Sequence, residues 1–185
     1  MGLLWSKKSV GLVCILLFST SLSAVCSTNL VKKQKNIEEL FAELRSVPSH
    51  CGQKDRLFLE FANRAYLGGH YVKSLWAVET ALQRQKRRDN NYWSLKVLEG
   101  KNLNALNRFE EAIEVLRPMA IQNEADQASS LLKQRAHLAL IESYYLRAGR
   151  NKDKNVFYLI SLFMSRHPNS RYQPLLRDWL AYAKK

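Results

Sequence analysis

The residue types that carry out catalysis or bind metals are few and scattered in this chain. Its four histidines are His50, His70, His137 and His167. No two of them are four residues apart, the spacing that puts a zinc-binding pair on one helix face. The adjacent acids Glu110 and Glu111 point to different sides of a helix, so they cannot work as an acid–base pair. No phosphate loop, nucleophile elbow or dinucleotide fingerprint occurs. The sequence predicts no enzyme activity, no metal site and no cofactor, with the histidines in turns or at the surface.

The first 25 residues have the composition of a secretory signal peptide. Lys7 and Lys8 precede an apolar stretch, Val10–Phe18, and a run of small residues, Ser19–Ala24, follows it. The apolar stretch is shorter than the roughly 20 residues that a membrane-spanning helix needs. We therefore expect residues 1–25 to direct export and to be removed.

The residues around Cys26 leave two ways of processing open. The segment Leu22-Ser23-Ala24-Val25-Cys26 resembles a bacterial lipoprotein signal, and this resemblance implies that Cys26 carries a lipid anchor. Cleavage after Ala24 by an ordinary signal peptidase is the alternative. Cys51 is a lone thiol if Cys26 is lipidated; otherwise the two cysteines can form a disulfide in an oxidising compartment.

The rest of the chain divides into a polar tether, 26–36, and a folded domain, 37–185. Only 7 Gly and 4 Pro occur in 185 residues, and long runs of Leu, Ala, Glu, Lys, Arg and Gln favour helix. Apolar periodicity and turn residues predict an all-α domain. The expected helices are Ile37–Val47, Asp55–Leu67, Tyr71–Lys86, Asn91–Leu106, Phe109–Gln122, Asp126–Ala148, Asn155–Arg166 and Arg171–Ala183.

Helices joined in pairs by short turns suggest a repeat. Tyr71 aligns with Phe109 at the start of a second helix, and Ser74 aligns with Ala112 three residues later. Gly100 holds a small position, where a neighbouring helix must approach closely. On these residues, about 55–170 resemble tetratricopeptide repeats, although the third unit has Glu142 in place of a small residue. The resemblance implies an α-solenoid of about three stacked antiparallel hairpins with a C-terminal capping helix.

The same resemblance implies a binding groove lined by the first helix of each hairpin. The groove positions that match the family are Arg56, Leu59, Asn63, Tyr66, Ser94, Val97, Lys101, Asn104, Ala136, Ala139, Ser143 and Leu146. The binding candidates among them are Arg56, Asn63, Tyr66, Lys101, Asn104 and Ser143. Some family members grip a C-terminal carboxylate with a Lys at the fifth position of a repeat. Leu59, Val97 and Ala139 stand there, so that activity is not expected.

The C-terminal junction gives a second resemblance. Arg166-His167-Pro168-Asn169-Ser170-Arg171-Tyr172 is similar to a helix junction found in bacterial envelope repeat proteins, including the outer-membrane protein assembly lipoprotein. Pro168 is expected to stop one helix and Ser170 to cap the next.

The chain is strongly basic, with a formal net charge of +13. One basic cluster is Lys32, Lys33 and Lys35, and a second basic patch is Arg84, Lys86, Arg87 and Arg88. Such clusters are either solvated loop charge or contacts for anionic lipid headgroups or an acidic partner. A nucleic-acid partner is not expected, because the chain carries an export signal.

Together these features predict a non-catalytic scaffold or adaptor of the bacterial cell envelope. It would be an outer-membrane lipoprotein or periplasmic protein, resembling the assembly-lipoprotein and pilotin type, that binds envelope proteins and supports assembly of an outer-membrane, secretion or pilus complex. The alternative is a soluble periplasmic or secreted binding protein. The oligomeric state is left open.

Overall fold

A computed structural model describes residues 36–46, 48, 54–122, 128–149 and 153–183. The predicted signal peptide, nearly all of the predicted tether, the Lys32–Lys35 cluster, Cys26, His50 and Cys51 lie outside these residues. The chain forms two compact units, Met1–Lys54 and Asp55–Lys185.

The first unit contributes helix α1, Ile37–Ser46. Asn36 and Glu39 bond reciprocally at its start: the Asn36 side-chain oxygen accepts the Glu39 N–H at 2.9 Å, and its amide donates to the Glu39 carboxylate at 3.0 Å. This arrangement satisfies a backbone donor that the first turn leaves without a partner. Leu40 and Leu44, one turn apart, form its buried side.

The second unit consists of helices joined by short connections. They are α2 (Lys54–Leu67), α3 (Tyr71–Arg84), α4 (Asn90–Ala105), α5 (Phe109–Ala120), α6 (Ser130–Ala148), α7 (Lys154–Arg166) and α8 (Gln173–Ala183). The described residues contain no strand, so the all-α prediction is confirmed for them. The solenoid assignment stays a prediction.

Within the second unit, consecutive helices run antiparallel. The rings of Tyr66 and Tyr71 lie 5.5 Å apart beside the α2–α3 turn. Asp55 and Arg84 form an ion pair at the far ends of the same two helices, at 2.8 Å. The α6–α7 pair meets in the same way, with the rings of His137 and Phe163 5.3 Å apart.

The even-numbered helices run parallel to one another. The Lys101 ammonium lies 5.1 Å from the Tyr66 ring centre, which joins the end of α4 to the end of α2. At the other end of α4, the Asn90 side chain accepts the Ser129 N–H at the start of α6, at 2.9 Å. Tyr145 and Trp179 join α6 to α8, with ring centres 5.6 Å apart. These contacts place α2, α4, α6 and α8 side by side.

The core of the second unit is apolar and closely packed. Its main cluster draws on α4 to α8, with Leu116, Leu140, Ile141, Leu159, Ile160, Phe163 and Leu176 almost fully buried. Gly100 of α4 faces Leu116 of α5, and a Cβ at Gly100 would lie 2.5 Å from the Leu116 Cγ. The expected close helix approach at Gly100 is therefore present.

Several sequence expectations need correction. α6 was expected to begin at Asp126 but begins at Ser130. The Ser129 hydroxyl caps the helix there by accepting the Leu132 N–H at 3.3 Å. α3 ends at Arg84, two residues early. His137 was expected in a turn or at the surface but is 1% exposed. This error comes from not knowing which side of α6 faces α7.

Candidate binding groove

A groove of about 720 Å³ runs across the even-numbered helices. We call it the groove below. It is lined by Leu59, Asn63, Tyr66 and Leu67 of α2, Ser94, Val97, Leu98 and Lys101 of α4, Leu132, Arg135, Leu138, Ala139, Ile141 and Glu142 of α6, Tyr172 before α8, and Leu175, Leu176 and Trp179 of α8.

The floor of the groove is apolar, and apolar residues also stand exposed at its rim. Val97, Ala139 and Ile141 are buried floor residues that belong to the core. At the rim, Leu67 is 84% exposed and Leu175 is 49% exposed. Exposed apolar side chains grouped around a concave surface are typical of sites that a partner covers.

Charged groups are placed sparsely along the groove. The Lys101 ammonium packs on the face of Tyr66, a cation–π contact. Burial raises the pKa of the Tyr66 hydroxyl, and the carboxylate of Glu142 raises it further. At the α8 side, a hydrogen bond from Arg171 lowers the pKa of the Tyr172 hydroxyl, with Arg135 adding to the effect. The lining thus offers two cations, one carboxylate and two phenol hydroxyls around an apolar floor.

The structure brings together only part of the predicted groove set. Asn63, Tyr66 and Lys101 line the groove, together with Leu59, Ser94, Val97 and Ala139. Arg56 is exposed but does not belong to the lining.

Asn104 and Ser143 do not reach the groove surface. Asn104 is 4% exposed and Ser143 is fully buried. Asn104 donates to the Ala139 carbonyl at 3.1 Å, and the Ser143 hydroxyl donates to the same carbonyl at 2.9 Å. Because a buried donor needs an acceptor, the Asn104 amide joins α4 to α6, whereas the Ser143 hydroxyl bonds within α6.

Several groove residues were missed by sequence reasoning. They lie on the side of α6 that carries Arg135, Leu138 and Glu142, and at Tyr172, Leu175 and Trp179. A signal was available at the C-terminus, since Tyr172, Leu175 and Trp179 follow one another at helical spacing. That spacing indicates one helix face, although the repeat resemblance implies only a capping role for this helix.

A buried polar relay fixes the helices that carry the α2 and α4 parts of the lining. Asn102 of α4 donates to the Ser74 hydroxyl at 2.8 Å, and Ser74 donates to the Ala62 carbonyl of α2 at 2.7 Å. Asn102 also donates to the Leu98 carbonyl within its own helix, at 2.9 Å. Ser74 aligns with Ala112 in the repeat comparison, but its hydroxyl in addition links α2, α3 and α4.

The predicted basic patch divides into two parts. Arg84 forms the ion pair with Asp55. Lys86, Arg87 and Arg88 are exposed in the α3–α4 connection, with the Arg88 guanidinium 6.0 Å from the Tyr92 ring centre.

His137 is the most strongly perturbed titratable group described here. Its imidazole is buried between Phe163 and His167 of the α7 end. Burial is the main reason that its pKa is lowered to about 4. The positive charges of His167 and Arg166 lower the pKa further, and the Leu159 carbonyl raises it by a smaller amount. His137 is therefore a neutral core residue at pH 7. In the described ranges, no three of the His, Cys, Asp and Glu residues are grouped so that they could hold a metal ion.

Comparison of the chain with protein-family models, curated proteins and solved structures gives no match. The tetratricopeptide resemblance stays a prediction. In the described part of the chain, no helix has the length and apolar character needed to cross a membrane.

Proposed function

We propose that this protein is a non-catalytic adaptor whose groove binds a peptide segment of another protein, as an amphipathic helix or an extended strand. The observation that carries the proposal is the groove itself. A buried apolar floor (Val97, Ile141) is edged by exposed Leu67 and Leu175. An amphipathic segment would cover these side chains with its apolar face.

The polar groups of the groove suit recognition of such a segment. Lys101 and Arg135 line it together with Glu142. Acidic side chains of a bound segment could therefore pair with the two cations, and basic ones with the carboxylate. Charges of this kind set register and partner choice more than affinity. The relay through Ser74 and Asn102 holds α2 and α4 in place, and a site that is already formed loses less entropy on binding.

The setting that we propose is the bacterial cell envelope, with Cys26 as a lipid anchor and an outer-membrane, secretion or pilus complex as the client. The support is the sequence of residues 1–26 and the similarity of the Arg166–Tyr172 junction to envelope repeat proteins. The second candidate, a soluble periplasmic or secreted binding protein, rests on cleavage after Ala24. Mass spectrometry of the mature N-terminus separates the two: diacylglycerol on Cys26 supports the tether, and an unmodified Val25 start contradicts it.

The groove is tested by photo-crosslinking in cells that produce the full chain. A benzophenone amino acid replaces Ser94 in the groove or, as the matched control, the exposed Ser161 of α7. We expect a crosslinked partner from position 94 that is absent from position 161.

A second pair of variants tests whether the crosslink depends on the groove. Leu175→Glu adds a charge at the groove rim, and Tyr158→Glu adds one at a 60% exposed site of α7 outside the groove. The first should abolish the crosslink and the second should leave it. Equal crosslinking from both positions, or no response to Leu175→Glu, would contradict the proposal.

A further inference from the structure

Three connections of the second unit are held together at the end where the even-numbered helices begin. The Asn90 side chain accepts the Ser129 N–H at 2.9 Å, which ties the α3–α4 connection to the start of α6. The Ser170 hydroxyl donates to the Gln134 side chain at 2.8 Å, which ties the α7–α8 junction to the same helix. We call this surface, formed by residues 85–92, 129–134 and 167–172, the basic end.

Within the part of the chain that the structure describes, the exposed cations of the basic end form no ion pair. These cations are Lys86, Arg87, Arg88 and Arg171. At the opposite end, by contrast, Arg108 pairs with Glu111 at 2.6 Å, and Arg147 pairs with both Glu110 and Asp153. The carboxylate of Asp89 on the same surface caps α4, and the remaining excess of exposed cations attracts polyanions.

Aromatic and apolar side chains accompany these cations. The Arg171 guanidinium lies 5.0 Å from the Tyr172 ring centre, and Arg88 lies over Tyr92. Leu131 is 43% exposed in the first turn of α6. Amphipathic rings, long cationic side chains and a protruding aliphatic residue are the combination that settles at the headgroup boundary of a bilayer.

From this combination we infer that the basic end docks on a membrane surface rich in anionic phospholipid. Headgroup phosphates neutralise Lys86, Arg87, Arg88 and Arg171, and Leu131 enters the headgroup boundary. A nucleic acid or an acidic protein would use the cations equally well, but neither needs the exposed Leu131 beside them. Docking would stand the helices of the second unit end-on to the bilayer. The inference does not depend on what fills the groove.

Amide hydrogen exchange on the full chain, with excess vesicles, tests this docking. The informative amides are those of residues 86–88 and 130–131, which lie in a connection and in a first helical turn and so exchange without helical protection. We expect slower exchange on vesicles of phosphatidylcholine with 30% phosphatidylglycerol than on pure phosphatidylcholine, even where the N-terminal segment binds both. Raising the salt concentration should remove the difference.

Two kinds of variant separate the contribution of the cations to docking from that of the Leu131 side chain. Lys86→Gln with Arg87→Gln removes two cations, and at about fivefold for each near an anionic surface the docking constant should fall roughly 25-fold. The control, Lys154→Gln with Arg177→Gln, removes two exposed cations elsewhere and should leave the protection unchanged. Leu131→Gln should weaken docking without changing its salt dependence.

Three results would overturn the inference. One is equal protection on neutral and anionic vesicles, and another is an equal loss of protection in the control variant. The third is protection by duplex DNA or an acidic polypeptide, at matched negative charge, as strong as that by vesicles, with Leu131→Gln having no effect; this would assign the surface to a different polyanion.

Discussion

Replacing Gly100 by alanine tests the close contact between α4 and α5. A Cβ at this position would lie 2.5 Å from the Leu116 Cγ and 2.7 Å from each Leu116 Cδ. Leu116 is 1% exposed and belongs to the core cluster, so a shift of its side chain would displace neighbouring core residues. Overpacking of this kind typically costs about 1–3 kcal/mol, and three short contacts place Gly100→Ala at the upper part of that range.

An opposing effect reduces the net loss. Alanine is favoured over glycine within a helix by about 1 kcal/mol. The net change in the free energy of unfolding should therefore be a loss of about 1–2 kcal/mol. For a chain of this size, that corresponds to a fall in melting temperature of roughly 2–8 °C.

Urea unfolding of the full chain, followed by circular dichroism at 222 nm, measures the change. The stability difference between Ser94→Ala and Ser94→Gly, at a half-exposed site of the same helix, gives the helix-propensity contribution separately. The double variant Gly100→Ala/Leu116→Ala should lose less than the sum of the single variants by about 1 kcal/mol, since the new methyl group occupies space that Leu116 has left. If Gly100→Ala is as stable as the wild type, or if the two substitutions are additive, the reasoning is wrong.

Three further predictions concern stability. The pKa of His137 is lowered from 6.5 to about 4 in the folded chain. The contribution of its neutral imidazole to the free energy of unfolding is therefore fully present above pH 6.5 and is lost as the pH falls toward 4. Between pH 7 and pH 5 the free energy of unfolding, measured with urea, should fall by about 2 kcal/mol, and His137→Leu should flatten this pH dependence. Ser74→Ala should lower stability by about 1–3 kcal/mol, because the buried Asn102 amide and the Ala62 carbonyl each lose one hydrogen bond, and Ser74→Thr, which keeps the hydroxyl, should lose less. Ser129→Ala removes the α6 cap and should lower the melting temperature by an amount equivalent to about 1 kcal/mol, with the exposed Ser161→Ala as the control; an unchanged melting temperature would show that the cap does not contribute.

Helix identity could be predicted because its signals are local. Gly69 and Gly149 both have positive φ, 78° and 60°, a conformation that glycine adopts at little cost at helix ends. Asp89 and Asp153 accept backbone N–H groups at the starts of α4 and α7. Each of these interactions spans only a few residues, so it can be recognised without knowing the fold.

The composition of the groove could be predicted only in part. Lys101 and Asn104 are three residues apart on α4, yet Lys101 lines the groove and Asn104 is buried against α6. A shift of a fraction of a turn in how α4 meets α6 decides between these outcomes, and residues three apart differ by about 60° around the axis. That rotation depends on packing against α5 and α6 and is not encoded within α4 alone.

The sequence by itself determined the helices, their order, the absence of recognised catalytic motifs and the small residue at the α4–α5 contact. These depend on caps, turns and apolar spacing within a few residues of one another. Only the tertiary structure decided that α8 completes the groove, that Asn104 joins α4 to α6, and that the exposed cations gather with Leu131 at one end. Those features join residues roughly 35 to 120 positions apart in the chain, and they follow from the way whole helices pack.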